Sequence, residues 1–436
     1  MYFISGLLRM STERNFTNIG QTHEVSGQNI QHFMSNSPWS AQSPLVQVRQ
    51  EIAAVPKFQQ GSMLVLDESA DKKAGAETAG AGQQYNGRQH TVTMSQVGTF
   101  LAYTNDGTWT WVDGELYIPE KWFTPAMAEK RASVGIPEDR IFATKVELGW
   151  QMIQRMVAEG LPFEAVCCDT LYGRSAWLRR TLNAAGLLYM AEIPTTERVY
   201  LDRPAMGVPE PKSTGRHSTK PRVLCKADGM KVRQLLARYI DEFERVHVRS
   251  TERGELNDEF FARRVWTQYK QEEPQAEWLV IRRESTGKCT FALSNAAEDV
   301  SLQRLAWLKC QRYFIERTNQ EAKSEFGFDE LRAQKYQAWE HQLALTVLTS
   351  WFIAETKLDW AQRYERNPAL HEYFEMEVLP KLSTANVREL LRAVLPLPQL
   401  SPEEATERVV EHLINRSRSR KSRLNKQSRD GPESKK

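Results

Sequence analysis

The chain has few cysteines, and none are spaced to hold zinc. Its five, Cys167, Cys168, Cys225, Cys289 and Cys310, form no CxxC pair, and the adjacent two fall in an apolar run. A disulfide framework and a zinc site are therefore not expected, and a reducing, cytoplasmic setting fits. Long hydrophobic runs are also missing: none approaches the roughly 18 residues that a membrane span needs. The opening MYFISGLLRM has no basic leader and no small-residue cleavage site, so it reads as the start of a helix or strand and not as a signal peptide. Nor is there an excess of one charge. The 58 Lys and Arg meet 55 Asp and Glu, a net charge of +3. Total charge gives no argument for a nucleic-acid partner.

What is present describes a soluble globular protein. The chain has 436 residues, 41% of them hydrophobic and 26% charged. That length is enough for about two or three domains with a real core. Charge is uneven at the end, where residues 415–436 carry nine Lys or Arg against two acids. Such a tail is commonly disordered and binds polyanions, or merely aids solubility.

Periodicity divides the rest. Residues 1–60 read as helical, with Ile30, Phe33 and Met34 at helical spacing and a second helix over Pro44 to Ala54. MLVLDES reads as a buried strand that stops at its acids, and the Gly- and Ala-rich ADKKAGAETAGAGQQYNG reads as loop. TVTMSQVGTFLAYTND and GTWTWVDGELYIP form a hairpin around Asn105-Asp106-Gly107. ATKVELGWQMIQRMVAE is a helix closed by Gly160, FEAVCCD a short strand, RSAWLRRTLNAAG a helix and LLYMAEIP a further strand. Antiparallel strands followed by β-α units point to a mixed α/β sheet over 61–195. Residues 196–298 read as a β-rich insertion. Residues 299–360 hold two helices, the second long and apolar, and 361–414 read as a helical region.

Three acids stand out. Asp67 follows LVL and Asp169 follows AVCC, each at the end of an apolar run. In mixed α/β sheets, functional groups gather beyond the carboxyl ends of the strands. The third is Glu316 in RYFIERTNQEAKSEFGF, where Arg312, Glu316 and Lys323 share one helix face. Two aspartates and a glutamate are hard oxygen ligands suited to Mg²⁺ or Mn²⁺. The same residues also fit a bland account: turn-opening aspartates and a solvated salt-bridge face. Glu68 is a rival for the role of Asp67. Lys72 and Lys73 follow the first acid and are either facing a substrate or simply exposed. Trp266 and Trp278 in the insertion either pack or stack on a base. His341, Trp339, Trp351 and Trp360 read as core residues, and Tyr172 and Gly173 as turn formers.

The segments together resemble the bacterial insertion-sequence transposases with a DDE catalytic triad on an RNase H-like core. One signature of that group is Y-x2-R-x3-E-x6-K. Here it reads K-x2-R-x3-E-x6-K, with Lys309, Arg312, Glu316 and Lys323, so a lysine replaces the tyrosine. LDESADKKAG, QVGTFLAY, LYIPEKW, TKVELGWQMI and CDTLYGRSAWLRRTL resemble the same group, in the same order, over about residues 2–360.

The resemblance implies an RNase H-like mixed sheet with a β-rich insertion, flanked by N- and C-terminal helical regions. It implies a triad of Asp67, Asp169 and Glu316 holding Mg²⁺ or Mn²⁺, as two ions. Arg312, Lys323 and Lys309 would contact phosphates of double-stranded DNA, both the terminal inverted repeats and the target. It further implies cut-and-paste transposition by a homodimer on DNA, associated with the nucleoid and not with a membrane. Two other readings remain open: a metal nuclease of the same fold without strand transfer, and a DNA-binding relic without catalysis. Relatives carry the YFISGLL segment further from their starts, so a truncated start is expected to weaken end recognition and spare the triad.

Overall fold

A computed structural model describes residues 2–410 except 11, 12, 106, 211–218, 226, 227, 252, 253, 376–380, 396–400, 405, 408 and 409, together with 413, 414, 417, 418 and 421. Two compact units result, Met1–Arg388 and Glu389–Lys436. Most of the basic tail lies outside the described residues.

Four helices open the first unit: α1 (Tyr2–Arg9), α2 (Phe16–Thr22), α3 (Gly27–Ser35) and α4 (Gln42–Ala54). Four strands follow: β1 (Met63–Lys72), β2 (Gly82–Asn86), β3 (Thr91–Asn105) and β4 (Thr108–Tyr117). Next come α5 (Ala128–Ser133), α6 (Lys145–Ala158), β5 (Ala165–Cys168), α7 (Thr170–Gly173), α8 (Ala176–Ala184) and β6 (Leu188–Ile193). The following stretch has short strands β7 (Arg198–Val199), β8 (Met206–Gly207), β9 (Arg222–Val223) and β10 (Met230–Lys231), then helix α9 (Val232–Arg238). Its long strands are β11 (Glu244–Thr251), β12 (Gly254–Thr267), β13 (Gln275–Arg283) and β14 (Cys289–Ser294). Helices complete the chain: α10 (Leu302–Cys310), α11 (Tyr313–Ser324), α12 (Tyr336–Arg363), α13 (Pro368–Phe374) and α14 (Thr384–Val394).

The sequence explains why these elements form. Thr144 caps α6 in a reciprocal box with Glu147, and Leu148, Met152, Ile153 and Met156 face the core at helical spacing. Met63 to Leu66 and all of β5 are buried on both faces, as expected of parallel strands covered on both sides. Helix α12 buries residues around most of its circumference, including Trp339, His341 and Trp351. His341 is a packed histidine: it stacks on Trp39, and its ring nitrogens meet the carbonyls of Met34 and Trp39.

The main sheet has ten strands in the order β11-β12-β13-β14-β6-β5-β1-β3-β2, with β4 also paired to β3. Strands β1, β5 and β6 are mutually parallel, whereas β3 runs antiparallel to both β1 and β4. The run β4-β3-β1-β5-β6 is an RNase H-like core sheet. The strands after β10 do not stand apart from it, because β14 pairs with β6 and carries the sheet onward.

Two details differ from the sequence reading. Strand β1 does not stop at Asp67 but continues to Lys72, held by pairing of Asp67–Lys72 with Ser95–Phe100 of β3. Within the stretch read as loop, Gly82–Asn86 pairs with Thr91–Ser95 as β2. Backbone pairing, not side-chain hydrophobicity, extends both.

A buried polar network fixes the far side of the core. Arg179 of α8 pairs with Glu277 of β13 at 3.0 Å and donates to the Gly173 carbonyl. Glu277 also accepts from the hydroxyls of Tyr189, at 2.5 Å, and Thr267. Arg179, Glu277, Tyr189 and Thr267 thereby each have a partner, which is what burial of charge requires.

Candidate active site

The parallel register builds the site. Leu66 is level with Cys168, and Cys168 is level with Ala191. The next residue on each strand is an acid: Asp67, Asp169 and Glu192. Neighbouring strands lie about 4.8 Å apart, so three acids follow the matched positions at one end of three adjacent strands. Asp169 closes its strand and caps α7, accepting the Leu171 N–H at 3.0 Å and the Tyr172 N–H at 3.4 Å. Asp67 accepts the Glu68 N–H at 2.7 Å. Glu68 itself pairs with Lys145 of α6, which occupies the rival residue.

Helix α11 lies against β1, β3 and β4 and delivers the cations. Arg312, at its start, reaches two acids. Its Nε is 3.1 Å from Glu192 and its Nη2 is 2.5 Å from Glu316, one turn on. Lys309, at the end of α10, is 3.2 Å from the other Glu192 oxygen. Lys323, a further two turns along α11, is 2.9 Å from Asp71 and donates to the Ala70 carbonyl at 3.0 Å.

Charge is poorly balanced among these groups. Burial, and then Asp169, push the Asp67 carboxyl up to about 8, with Arg312 opposing. Burial pushes Asp169 up to about 6 against the Tyr172 N–H, and Glu68 adds to the rise. Glu192 behaves oppositely. Burial alone would raise it, but Lys309 and Arg312 outweigh burial and hold it below the usual glutamate value. Burial draws Arg312 down, yet Glu192, Glu316 and Asp67 together hold it well above the ordinary arginine value.

The structure therefore brings Asp67 and Asp169 side by side and leaves Glu316 one guanidinium away. The Glu316 carboxylate faces Arg312, and its side chain is 52% exposed. Among the described residues, no three His, Cys, Asp or Glu side chains converge as a ready metal cage. The three cations expected at phosphates are all engaged by carboxylates. Lys309 departs furthest from that expectation, because Glu192 holds it with only 1% of its side chain exposed.

Residues 2–255, more than half of the chain, match the family model described as DDE superfamily endonuclease. The chain belongs to the DDE superfamily endonucleases. A probable transposase for insertion sequence element IS701, from Microchaete diplosiphon, is 28% identical over 153 residues, or 34% of this chain. The match spans only about a third of that relative, 35% of its length. Among solved structures, a piggyBac transposase synaptic complex with hairpin DNA aligns over 93% of this chain and 74% of its own, at 12% identity and a TM-score of 0.35. The NurA nuclease from Sulfolobus solfataricus aligns over 78% of this chain and 98% of its own, at 9% identity and a TM-score of 0.25.

The residues present fit a divalent cation of the kind DDE endonucleases employ. Burial, and then the neighbouring Asp169, raise the Asp67 carboxyl, and burial also raises that of Asp169, with Arg312 only partly offsetting either, so a further cation would be favoured here. Their oxygens are hard donors, suited to Mg²⁺ or Mn²⁺. Asp67 and Asp169 would hold the ion, and Glu316 would join after leaving Arg312.

Glu192 escaped sequence reading. In LLYMAEIP it is an ordinary acid near a strand end, and only the register of three strands places it at the same end as Asp67 and Asp169, one strand from Asp169 and two from Asp67. Its one sequence signal is that LLYMA, like MLVL and AVCC, is a short apolar run followed directly by an acid. The two insertion tryptophans are half-buried under arginines, Trp266 beneath Arg203 and Trp278 beneath Arg264. Lys72 is exposed, whereas Lys73 donates to the Leu331 carbonyl.

Proposed function

We propose that this chain is a DNA transposase that binds the ends of an insertion sequence, cleaves there, and joins the freed ends to target DNA. The observation that carries the reading is the Asp67–Asp169 pair at matching register on parallel strands of an RNase H-like sheet, with Glu316 one residue-contact away. Divalent cations held there would activate water, and later a 3′-hydroxyl, for in-line attack on a phosphodiester and would stabilise the leaving oxygen. Asp67, Asp169 and Glu316 act as ligands and not as general bases. Arg312 holds the Glu316 carboxylate one helical turn on, through an ion pair at 2.5 Å. No covalent link between protein and DNA is needed.

DNA is gripped elsewhere in this reading. Because Arg312, Lys309 and Lys323 are committed to acids, the N-terminal helices over 1–60 and the basic tail over 415–436 supply the backbone contacts. Affinity then falls steeply with salt. A homodimer pairs two ends on the DNA, in the cytoplasm at the nucleoid. The core over 61–195 and 299–360 carries the chemistry, the segment over 196–298 handles the cleaved end, and the region over 361–414 supports the assembly.

The test uses DNA carrying the inverted repeats that flank the reading frame. Wild-type protein with Mg²⁺ or Mn²⁺ should cut at the repeats and join pre-cut ends to a plasmid. Asp169→Ala should lose both activities by at least about a thousandfold. Cutting without joining would point to the nuclease reading. Unchanged activity in Asp169→Ala would remove this site from the chemistry.

A further inference from the structure

We propose that Glu192 is a positioning residue of this site: it holds Arg312 toward Glu316 and off the Asp67–Asp169 pair, with Lys309 as its buried counter-ion. The inference rests on the reading of Asp67, Asp169 and Glu316 as the catalytic acids.

Three independent observations lead to it. The first is place. Glu192 follows Ala191, which is level with Cys168, so Glu192 and Asp169 each come directly after a matched pair on neighbouring strands. The second is connectivity. One Glu192 oxygen takes Lys309 at 3.2 Å and the other takes Arg312 Nε at 3.1 Å, while Arg312 Nη2 holds Glu316 at 2.5 Å. A guanidinium presents its donors in a rigid fork, so fixing Nε sets the direction of Nη2. The third is support. A Cβ on Gly173 would lie 1.9 Å from the Glu192 carbonyl oxygen, so α7, capped by Asp169, rests directly on the main chain of Glu192. Asp169 and Glu192 are thus locked to each other through backbone.

The charges explain what the lock achieves. Four carboxylates, Asp67, Asp169, Glu192 and Glu316, share two cations, Arg312 and Lys309. Arg312 is close enough to both aspartates to stabilise their charged forms. Released from Glu192, it would swing toward them and take the place a divalent cation needs. Glu192 prevents this by occupying Nε. Lys309 makes the arrangement stable: its ammonium is buried, and Glu192 is the carboxylate it meets. Lysine at 309, where the related signature has tyrosine, and glutamate at 192 therefore form one unit.

A structural ion pair and a positioning residue predict different outcomes for three variants: Glu192→Gln, Lys309→Met, and the two combined. Each single change strands a buried group and lowers the melting temperature. The double change removes the stranded charge, so its melting temperature returns toward wild type. If Glu192 positions Arg312, the double variant still binds Mn²⁺ more weakly by roughly tenfold or more, measured by calorimetric titration without DNA. Its cleavage kcat falls by a similar factor, with KM for DNA unchanged. Recovery of Mn²⁺ affinity together with melting temperature in the double variant would overturn the proposal, as would wild-type Mn²⁺ affinity in Glu192→Gln. The titration reads the proposal even if no DNA is cut. Failure of the catalytic reading shows separately, as an Asp169→Ala protein that cleaves like wild type.

Discussion

Gly173 rests on the main chain of Glu192 so closely that a Cβ there would fall 1.9 Å from the Glu192 carbonyl oxygen. Nothing flexible can yield, because the obstacle is backbone in the middle of a sheet. The Gly173 carbonyl also receives the Arg179 guanidinium, so α7 is pinned from both sides.

Gly173→Ala is therefore expected to be among the most damaging small substitutions in the chain. Overpacking a rigid contact costs about 1 to 3 kcal/mol, and more where backbone must shift. Thermal unfolding should show a clear drop in melting temperature. Because α7 carries Asp169 at its cap, DNA cleavage should fall further than stability alone explains. A melting temperature within error of wild type would show that α7 is free to lift.

How much of this was legible in the sequence depended on whether the signal was local. Helix α6 announced itself through Thr144, Glu147 and its apolar spacing, and β5 through four buried residues in a row. The second half of β1 carried no such signal: from Asp67 to Lys72 its residues are only partly buried or exposed. It is a strand because β3 pairs with it, which is a long-range fact. Glu192 was hidden for the same reason. Its role follows from register across three parallel strands, and register between distant segments is not written in either segment alone. Lysine at 309 was visible as an oddity, but its partner was not. Asp67, Asp169 and Glu316 drew notice in the sequence because each stands at the end of an apolar run or on a patterned helix face; their role as metal ligands is proposed.

The Asp67–Asp169 pair sets a pH dependence with a definite sign. Both carboxyls are raised in the folded chain, to about 8 and about 6. The folded state then binds more protons than the unfolded state between the ordinary aspartate value and those values. Stability from this pair is fully present below about pH 4 and is lost as pH rises toward 8. In chelator, wild type should lose stability relative to Asp67→Asn as pH rises from 5 to 8. At pH 8 the variant should be the more stable by about 1 kcal/mol or more, since two like charges no longer share a buried site. Scanning calorimetry at several pH values reads the difference, and added Mn²⁺ should reverse its sign. A difference that stays flat with pH would show that neither burial nor Asp169 raises the Asp67 carboxyl in the folded chain.

Lys323 separates a phosphate contact from an internal tether. Its ammonium joins the last turn of α11 to β1, through Asp71 at 2.9 Å and the Ala70 carbonyl at 3.0 Å. Both side chains are largely buried, 15% and 10% exposed. A group so held stabilises the helix that carries Glu316, and removing it should cost about 1 to 3 kcal/mol, as for other hydrogen bonds to charged groups. Lys323→Ala should accordingly lower the melting temperature and speed amide exchange at the end of α11. Its effect on DNA binding should be small. A residue that neutralises a phosphate contributes close to one to the slope of log affinity against log salt. If Lys323 is a tether, that slope stays unchanged in Lys323→Ala, whereas a drop of about one would assign it to the DNA backbone. The cleavage rate of the same variant should fall through misplacement of Glu316, with half-maximal Mn²⁺ shifted upward while DNA affinity holds.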